Sequence, residues 1–281
     1  MAGALAGGSP AATSGPCRGS GIHPRKVLWI VMENKNYHDV IGSSSAPYEN
    51  ALARKCGLAT NYHAITHPSL PNYIAMTSGS TRGISDDADP SSHPLRGASI
   101  FSQRRRTKSY EESMPSKCYP SDSGLYRVHH NPEAYYTRVH TRCKHRSDVP
   151  MGTVKSGRFH RALVAGKLPR FAFITPNMCH DTHDCSVATG DSYLKSLISA
   201  IVAAPDYQAG RLVVFVTWDE NDANPGNRVP TIVVSRRVPP GTRSDRRFTH
   251  FSLLRTTERL LGVPRLRNAQ TANSMRATFG L

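Results

Sequence analysis

Three polar clusters in this 281-residue chain each follow a short apolar run: Glu33-Asn34, His180-Asp181-Thr182-His183-Asp184 and Asp219-Glu220. A carboxylate after a strand can be a turn or helix cap, and a single histidine can be a solvated surface group. Three such clusters are a different matter. In open parallel sheets, ligands bind beyond the carboxyl ends of the strands, so the clusters converge if the runs are neighbouring strands. Acids, amides and imidazoles gathered there suit metal binding or acid-base chemistry.

The positioning elements can be read from the pattern around them. Lys26 to Met32 is a continuous apolar run, suited to a strand buried on both faces. Phe171 to Thr175, Leu212 to Thr217 and Thr231 to Val234 read as further strands. Between them lie helical patterns: Ala46 to Cys56, closed by Gly57, and Pro71 to Ser78, with proline in its first turn and Gly79 as its stop. Leu194, Leu197, Ile198, Ile201 and Val202 form an amphipathic stripe with Asp191 as N-cap, and Phe251 to Leu261 ends at Gly262. Strands alternating with helices predict an α/β fold, a mostly parallel central sheet flanked by helices. Residues 86–150, rich in Ser, Pro, His and Tyr, read as an irregular, loop-rich insertion over one end of the sheet in a single domain spanning 23–281.

Composition narrows the partners. Lys and Arg number 36 against 20 Asp and Glu, a formal charge of +16, which favours anionic partners. The arginine clusters, Arg104-Arg105-Arg106, Arg236-Arg237 and Arg246-Arg247, are scattered and not interleaved with aromatics, so no specific nucleic-acid site is expected. The longest apolar run falls far short of the roughly 20 residues of a membrane helix. Six cysteines without a CxxC pair favour disulfides and an oxidising compartment, hence a secreted or cell-surface protein. Residues 1–22, rich in Ala, Gly and Ser, lack the apolar stretch of a signal peptide and read as a flexible lead-in.

The run Thr66-His67-Pro68-Ser69-Leu70-Pro71-Asn72-Tyr73, followed by Ser78-Gly79 and Gly83-Ile84, resembles the nucleophile segment of the phosphoesterase family. That family contains bacterial secreted acid phosphatases and phospholipases C and belongs to the alkaline phosphatase superfamily. Further segments agree in order: Met32-Glu33-Asn34, Pro176-Asn177 with Asp181 to Asp184, Gly190-Asp191, Thr217 to Asp222, Val229-Pro230-Thr231 and His250 to Leu254. The resemblance runs from about residue 26 to 265.

It implies a metal-dependent acid phosphatase acting on phosphate monoesters, phosphoinositides among them, through a phosphoseryl intermediate. Ser69 is the implied nucleophile, just before the helix, where unpaired N–H groups would stabilise a phosphoryl group. Glu33, Asn34, Asp219 and Glu220, with Ser69, are the implied ligands of a divalent ion such as Mg, Ca, Mn or Zn. His183 and Asp184 are implied catalytic residues, while Asn72, His130 and His250 are implied substrate contacts. His129 stands where the family has Arg or Lys before His-Asn-Pro, so His130 is open to a structural reading as a turn residue.

Two rivals accompany that reading. Thr66 is a second hydroxyl near the helix, and Cys179 to Cys185 could be a zinc loop instead of a disulfide clamping the His/Asp turn. At the level of function, the alternatives are a phospholipase C-type phosphodiesterase and a non-catalytic basic binder of phospholipid head groups or nucleic acid.

Overall fold

The computed structural model describes residues 15–103 and 106–281. Residues 1–14 of the expected lead-in and Arg104-Arg105 of the first arginine cluster lie outside them. The remainder of the lead-in is tied down: Cys17 is bridged to Cys56, and the amides of Arg18 and Gly19 donate to Arg236 and Val238 carbonyls.

The sheet grows from its most apolar strand. β1 (Lys26–Met32) has six residues fully buried, because it is paired on both edges and covered on both faces. The other strands, in chain order, are β2 (Gly57–Ala59), β3 (Tyr62–His63), β4 (Thr107–Glu111), β5 (Asp148–Pro150), β6 (Phe171–Thr175), β7 (Leu212–Trp218), β8 (Thr231–Val234), β9 (Arg243–Ser244) and β10 (Phe248–Thr249). β3 and β10 form a small separate pair, and the central sheet has the order β5-β4-β6-β1-β7-β8-β2-β9. β1 runs parallel to β6, Val27 facing Phe171, and to β7, Val27 facing Val213. β8 is antiparallel to both its neighbours and alone runs against the rest of this sheet. Residues 86–150, expected as an irregular insertion, in fact supply β4 and β5. These strands carry Thr107, Ser109, Glu111 and Asp148, so their apolar signal is weak although those side chains are buried.

The longer helices are α1 (Pro47–Lys55), α2 (Ser69–Ser78), α3 (Gly157–Val164), α4 (Val187–Ala203) and α5 (His250–Leu261). α2 begins two residues earlier than the proline suggested: Pro68 is its N-cap and Ser69 its first residue. All ten of its residues are buried, since it packs against α5 and the irregular turns around His130. α4 begins at Val187, with the Ser186 hydroxyl accepting from the Thr189 amide at 3.2 Å. Asp191 is therefore not its cap. Its carboxylate accepts from the Tyr48 and Glu49 amides, at 3.1 and 2.7 Å, and caps α1 from the neighbouring helix. No helix of the described residues is long and apolar enough to cross a membrane.

The cysteines pair as Cys17–Cys56, Cys118–Cys143 and Cys179–Cys185. The last closes the His/Asp turn with a bridge, so the zinc-loop reading falls. Cys118, Cys143 and Asp148 bring two sulfurs and a carboxylate oxygen within 4.8 Å of one another, but the sulfurs are bonded to each other and offer no thiolate to a metal.

Two packing features have measurable consequences. Gly190 in α4 sits against the Thr182 side chain, where an added Cβ would lie 2.2 Å from Thr182 Cγ2. Alanine normally favours a helix interior over glycine. Gly190→Ala should nevertheless cost about 1–3 kcal/mol by overpacking, read from urea denaturation; an unchanged or raised stability would mean that the contact yields. Glu49 is fully buried with both carboxylate oxygens unpaired, and burial, then Asp191, pushes its pKa well up. Such a group stabilises the fold fully below about pH 4.5 and loses that contribution as pH rises through its folded value. The melting temperature of Glu49→Gln relative to wild type should therefore improve between pH 5 and pH 8. A constant difference would show that Glu49 is already ionised.

Candidate active site

Parallel strands deliver the acids to one place. Glu33 follows β1, Asp219 and Glu220 follow β7, and Asp181 lies on the loop after β6. The backbone knits these ends together, Glu33 N donating to Asp181 O at 2.8 Å and Asp219 N to Met32 O at 3.0 Å. Thr182 is the keystone, its hydroxyl donating to Glu33 O at 2.8 Å and accepting from Trp218 Nε1 at 3.2 Å. Glu33, Asp181 and Asp219 are fully buried, and Glu220 is 6% exposed.

Ser69 enters from the first position of α2. Its Oγ donates to Glu33 Oε2 at 3.3 Å, and it also lies close enough to Asp219 and Glu220 to favour their ionised forms. One turn later on the same helix, the Tyr73 hydroxyl donates to Glu33 Oε1. His130 is buried between two acids, with Nε2 3.5 Å from Glu33 Oε2 and Nδ1 3.9 Å from Asp181 Oδ2, and its ring stacks on Tyr73. Thr66, the rival hydroxyl, bonds instead to the His67 carbonyl.

Electrostatically the cluster is strained. Burial raises the pKa of Glu33, Asp181, Asp219 and Glu220, and the Asp219 charge adds to the rise at Glu33 and Glu220. Burial, then His129 and His183, holds His130 far below the ordinary histidine value, so its ring is neutral. Several buried atoms here have no hydrogen-bond partner: Asn34 Oδ1, Asp181 Oδ2, Asp219 Oδ2 and both His130 ring nitrogens. Unpaired buried oxygens beside a neutral imidazole are the donor set of a divalent cation, which would offset their desolvation and mutual repulsion. The residues that fit the ion are Glu33, Asn34, Asp219, and by this measure Asp181 and His130.

Other expected contacts have different duties. Asn72 is fully buried, its Oδ1 accepting from the Ile65 and Thr66 amides and its Nδ2 donating to Thr66 O, Pro68 O and Glu220 Oε2. In this structure its amide is engaged by the turn before Ser69 and by Glu220. His250 is buried behind Asp219, between the Tyr62 hydroxyl at 3.0 Å and the Asp219 carbonyl at 2.6 Å. Burial lowers its pKa to about 4. Both its ring nitrogens are engaged within the protein, one of them on the Asp219 backbone. The start of α2 is also partly satisfied, since Leu70 N donates to Asp87 Oδ1 at 2.8 Å and Pro71 has no N–H.

The rim is histidine-rich. His183 Nδ1 lies 2.7 Å from Asp184 Oδ1, with both side chains part-exposed. His67 Nδ1 is 3.1 Å from Glu220 Oε2 on the opposite side of Ser69. The sequence placed Asp181 in its cluster without an individual role and gave no role to Tyr73 or His67. Their signals were present: Tyr73 is four residues after Ser69 on a helix, and His67 is two before it.

Residues 29–264 match the Phosphoesterase family. A phosphatidylinositol-3-phosphatase of Mycobacterium tuberculosis is 30% identical over 90% of this chain and 82% of its own length. An acid phosphatase of Aspergillus fumigatus is 28% identical over 88% of this chain, which spans only 57% of that protein. Among solved structures, an alkaline phosphatase superfamily protein from Vibrio parahaemolyticus aligns with a TM-score of 0.61 at 12% identity, covering 88% of this chain and 70% of that one. A phosphonate monoester hydrolase from Silicibacter pomeroyi gives 0.57 at 13%, covering 90% and 76%. The sheet order and the strand-end acids are thus set in a fold shared with that superfamily, and the chain belongs to the Phosphoesterase family of phosphoric ester hydrolases.

Proposed function

We propose that this chain is a secreted, metal-dependent acid phosphatase that hydrolyses phosphate monoesters, phosphoinositide head groups included, through a phosphoseryl intermediate. The observation that carries the reading is the Ser69 hydroxyl, 3.3 Å from Glu33 at the lip of a buried cluster of unpaired oxygens. The names of the mycobacterial and fungal relatives support the substrate class. The three disulfides support an oxidising compartment.

Chemically, Ser69 Oγ gives up its proton to the carboxylate cluster and attacks phosphorus, and the bond to the alcohol oxygen breaks. A divalent ion held by Glu33, Asn34, Asp219, Asp181 and His130 would neutralise charge on the phosphoryl oxygens and favour the serine alkoxide. His183, oriented through Nδ1 by Asp184, protonates the leaving alcohol and later takes a proton from the water that attacks phosphoserine. His67 and Glu220 line the other side. Asn72 keeps the nucleophile turn and Glu220 in register, while Tyr73 fixes the Glu33 carboxylate.

Ser69→Ala should lower phosphate release from a generic phosphomonoester by at least about a thousandfold, with Thr66→Ala near wild type. The reverse pattern would move the nucleophile to Thr66. A chelator should abolish turnover and divalent metal restore it; turnover indifferent to both would sink the metal reading. Asp181→Asn should raise the metal concentration giving half-maximal activity by about tenfold or more, which separates a ligand from a bystander.

A further inference from the structure

The surplus of positive charge is not spread evenly. Arg106, Lys108, Arg146, Lys167 and Arg170 line one cavity of about 550 Å³, and no Asp or Glu is among its lining residues. None of these five makes an ion pair among the described residues. Lys26, at the cavity wall, is already committed to Asp206 at 2.6 Å. Arg170 Nε is buried without a hydrogen-bond partner. Glu133, which hydrogen-bonds the lining residue Ser147, is wholly buried and held by the hydroxyls of Ser109 and Ser147 at 3.0 and 2.5 Å. Crowding is felt at Lys108, whose pKa is lowered by burial and then by Arg158.

The cavity lies at the amino ends of β1, β4 and β6, beside Lys26, Thr107 and Arg170. Glu33 and Asp181 lie beyond the carboxyl ends of β1 and β6. Seven residues of β1 at about 3.3 Å each put the cavity on the order of 20 Å from the candidate active site. A ligand there is beyond the reach of Ser69. Nor could one flat membrane touch both ends of the sheet, so a lipid bound here would not be presented to Ser69. The volume is that of a small-molecule site, and arginine forks match tetrahedral oxyanions.

We propose that this cavity is a second binding site, for a compact soluble molecule carrying several phosphate or sulfate groups. The site is separate from catalysis and does not depend on the assignment of Ser69.

The test is calorimetric titration of the whole chain with inositol hexakisphosphate and with sucrose octasulfate, wild type against the double variant Arg146→Glu, Lys167→Glu. One equivalent should bind wild type, more weakly as salt rises, and the double variant should bind at least tenfold more weakly. At about 150 mM salt, charges 20 Å from the active site are screened, so binding at the active site would survive these substitutions. Phosphate release from a small monoester and the melting temperature should stay at wild-type values in the variant, which separates loss of the site from loss of fold. Arg170→Gln, which adds no negative charge, should weaken binding in the same direction. Binding of both probes assigns a general oxyanion site, and binding of one alone assigns phosphate or sulfate. Binding unchanged in the variants, or none at millimolar probe, overturns the proposal. So would an oligonucleotide held tenfold more tightly than both probes through the same residues, because the occupant would then be an extended polymer.

Discussion

The organisation of this protein depends on the burial of several carboxylates where water cannot solvate them. Taking an ionised carboxylate out of water costs several kcal/mol unless a partner is supplied. Among the described residues, Glu33, Asp181 and Asp219 form no ion pair with a lysine or arginine, and Lys35 reaches Asp181 only through its field. They have serine and tyrosine hydroxyls, backbone amides and a neutral imidazole. A sheet able to hold such a set in place must be stiff, and β1 answers that need, being apolar from Val27 to Met32 and paired along both edges. The stability of the strands is what keeps the acids close in spite of their repulsion.

The same constraint explains the second rank of residues. Thr182 joins the ends of β1 and β7 through one hydroxyl, and Gly190 leaves the space that Thr182 occupies. Asn72 binds the turn before Ser69 to Glu220, and His250 supports Asp219 through its carbonyl. Thr182, Asn72 and His250 have the chemical type of catalytic groups, and their hydrogen bonds in this structure go to holding other residues in place. The disulfide Cys179–Cys185 closes the loop that carries Asp181 and His183, so that loop is pre-ordered without a core of its own.

Much of this was legible from residue order. An apolar run ending in an acid marks the carboxyl end of a buried strand, and for that reason Glu33, Asp219 and Glu220 could be placed together. Ser69 was singled out by its motif and by the helix that follows, and the structure places its hydroxyl against Glu33. Asp181 was read only as part of its cluster, because residue order does not show which of its acids is buried; in the structure Asp181 is the wholly buried one, and Asp184 is exposed. Asn72 and His250 were given substrate contacts because residue type does not reveal that a polar group's bonds are already filled. β4 and β5 escaped notice because their buried faces are polar: Ser109, Ser147 and Asn131 satisfy Glu133 and Asp148 inside the protein, a compensation visible only in three dimensions.

The reversal of β8 bears on how such a protein can diversify. A parallel neighbour would need a crossover from the end of β7 back to the far side of the sheet. Because β8 runs the other way, residues 219–230 return directly over the mouth of the cleft, with Asn227 hydrogen-bonded to the Thr66 carbonyl of the nucleophile turn. Lengthening or shortening this connection changes what hangs above Ser69 without altering the register of any strand. The fold thus separates the part that must stay fixed, the register of the strands, from a connection whose length can vary without disturbing the sheet.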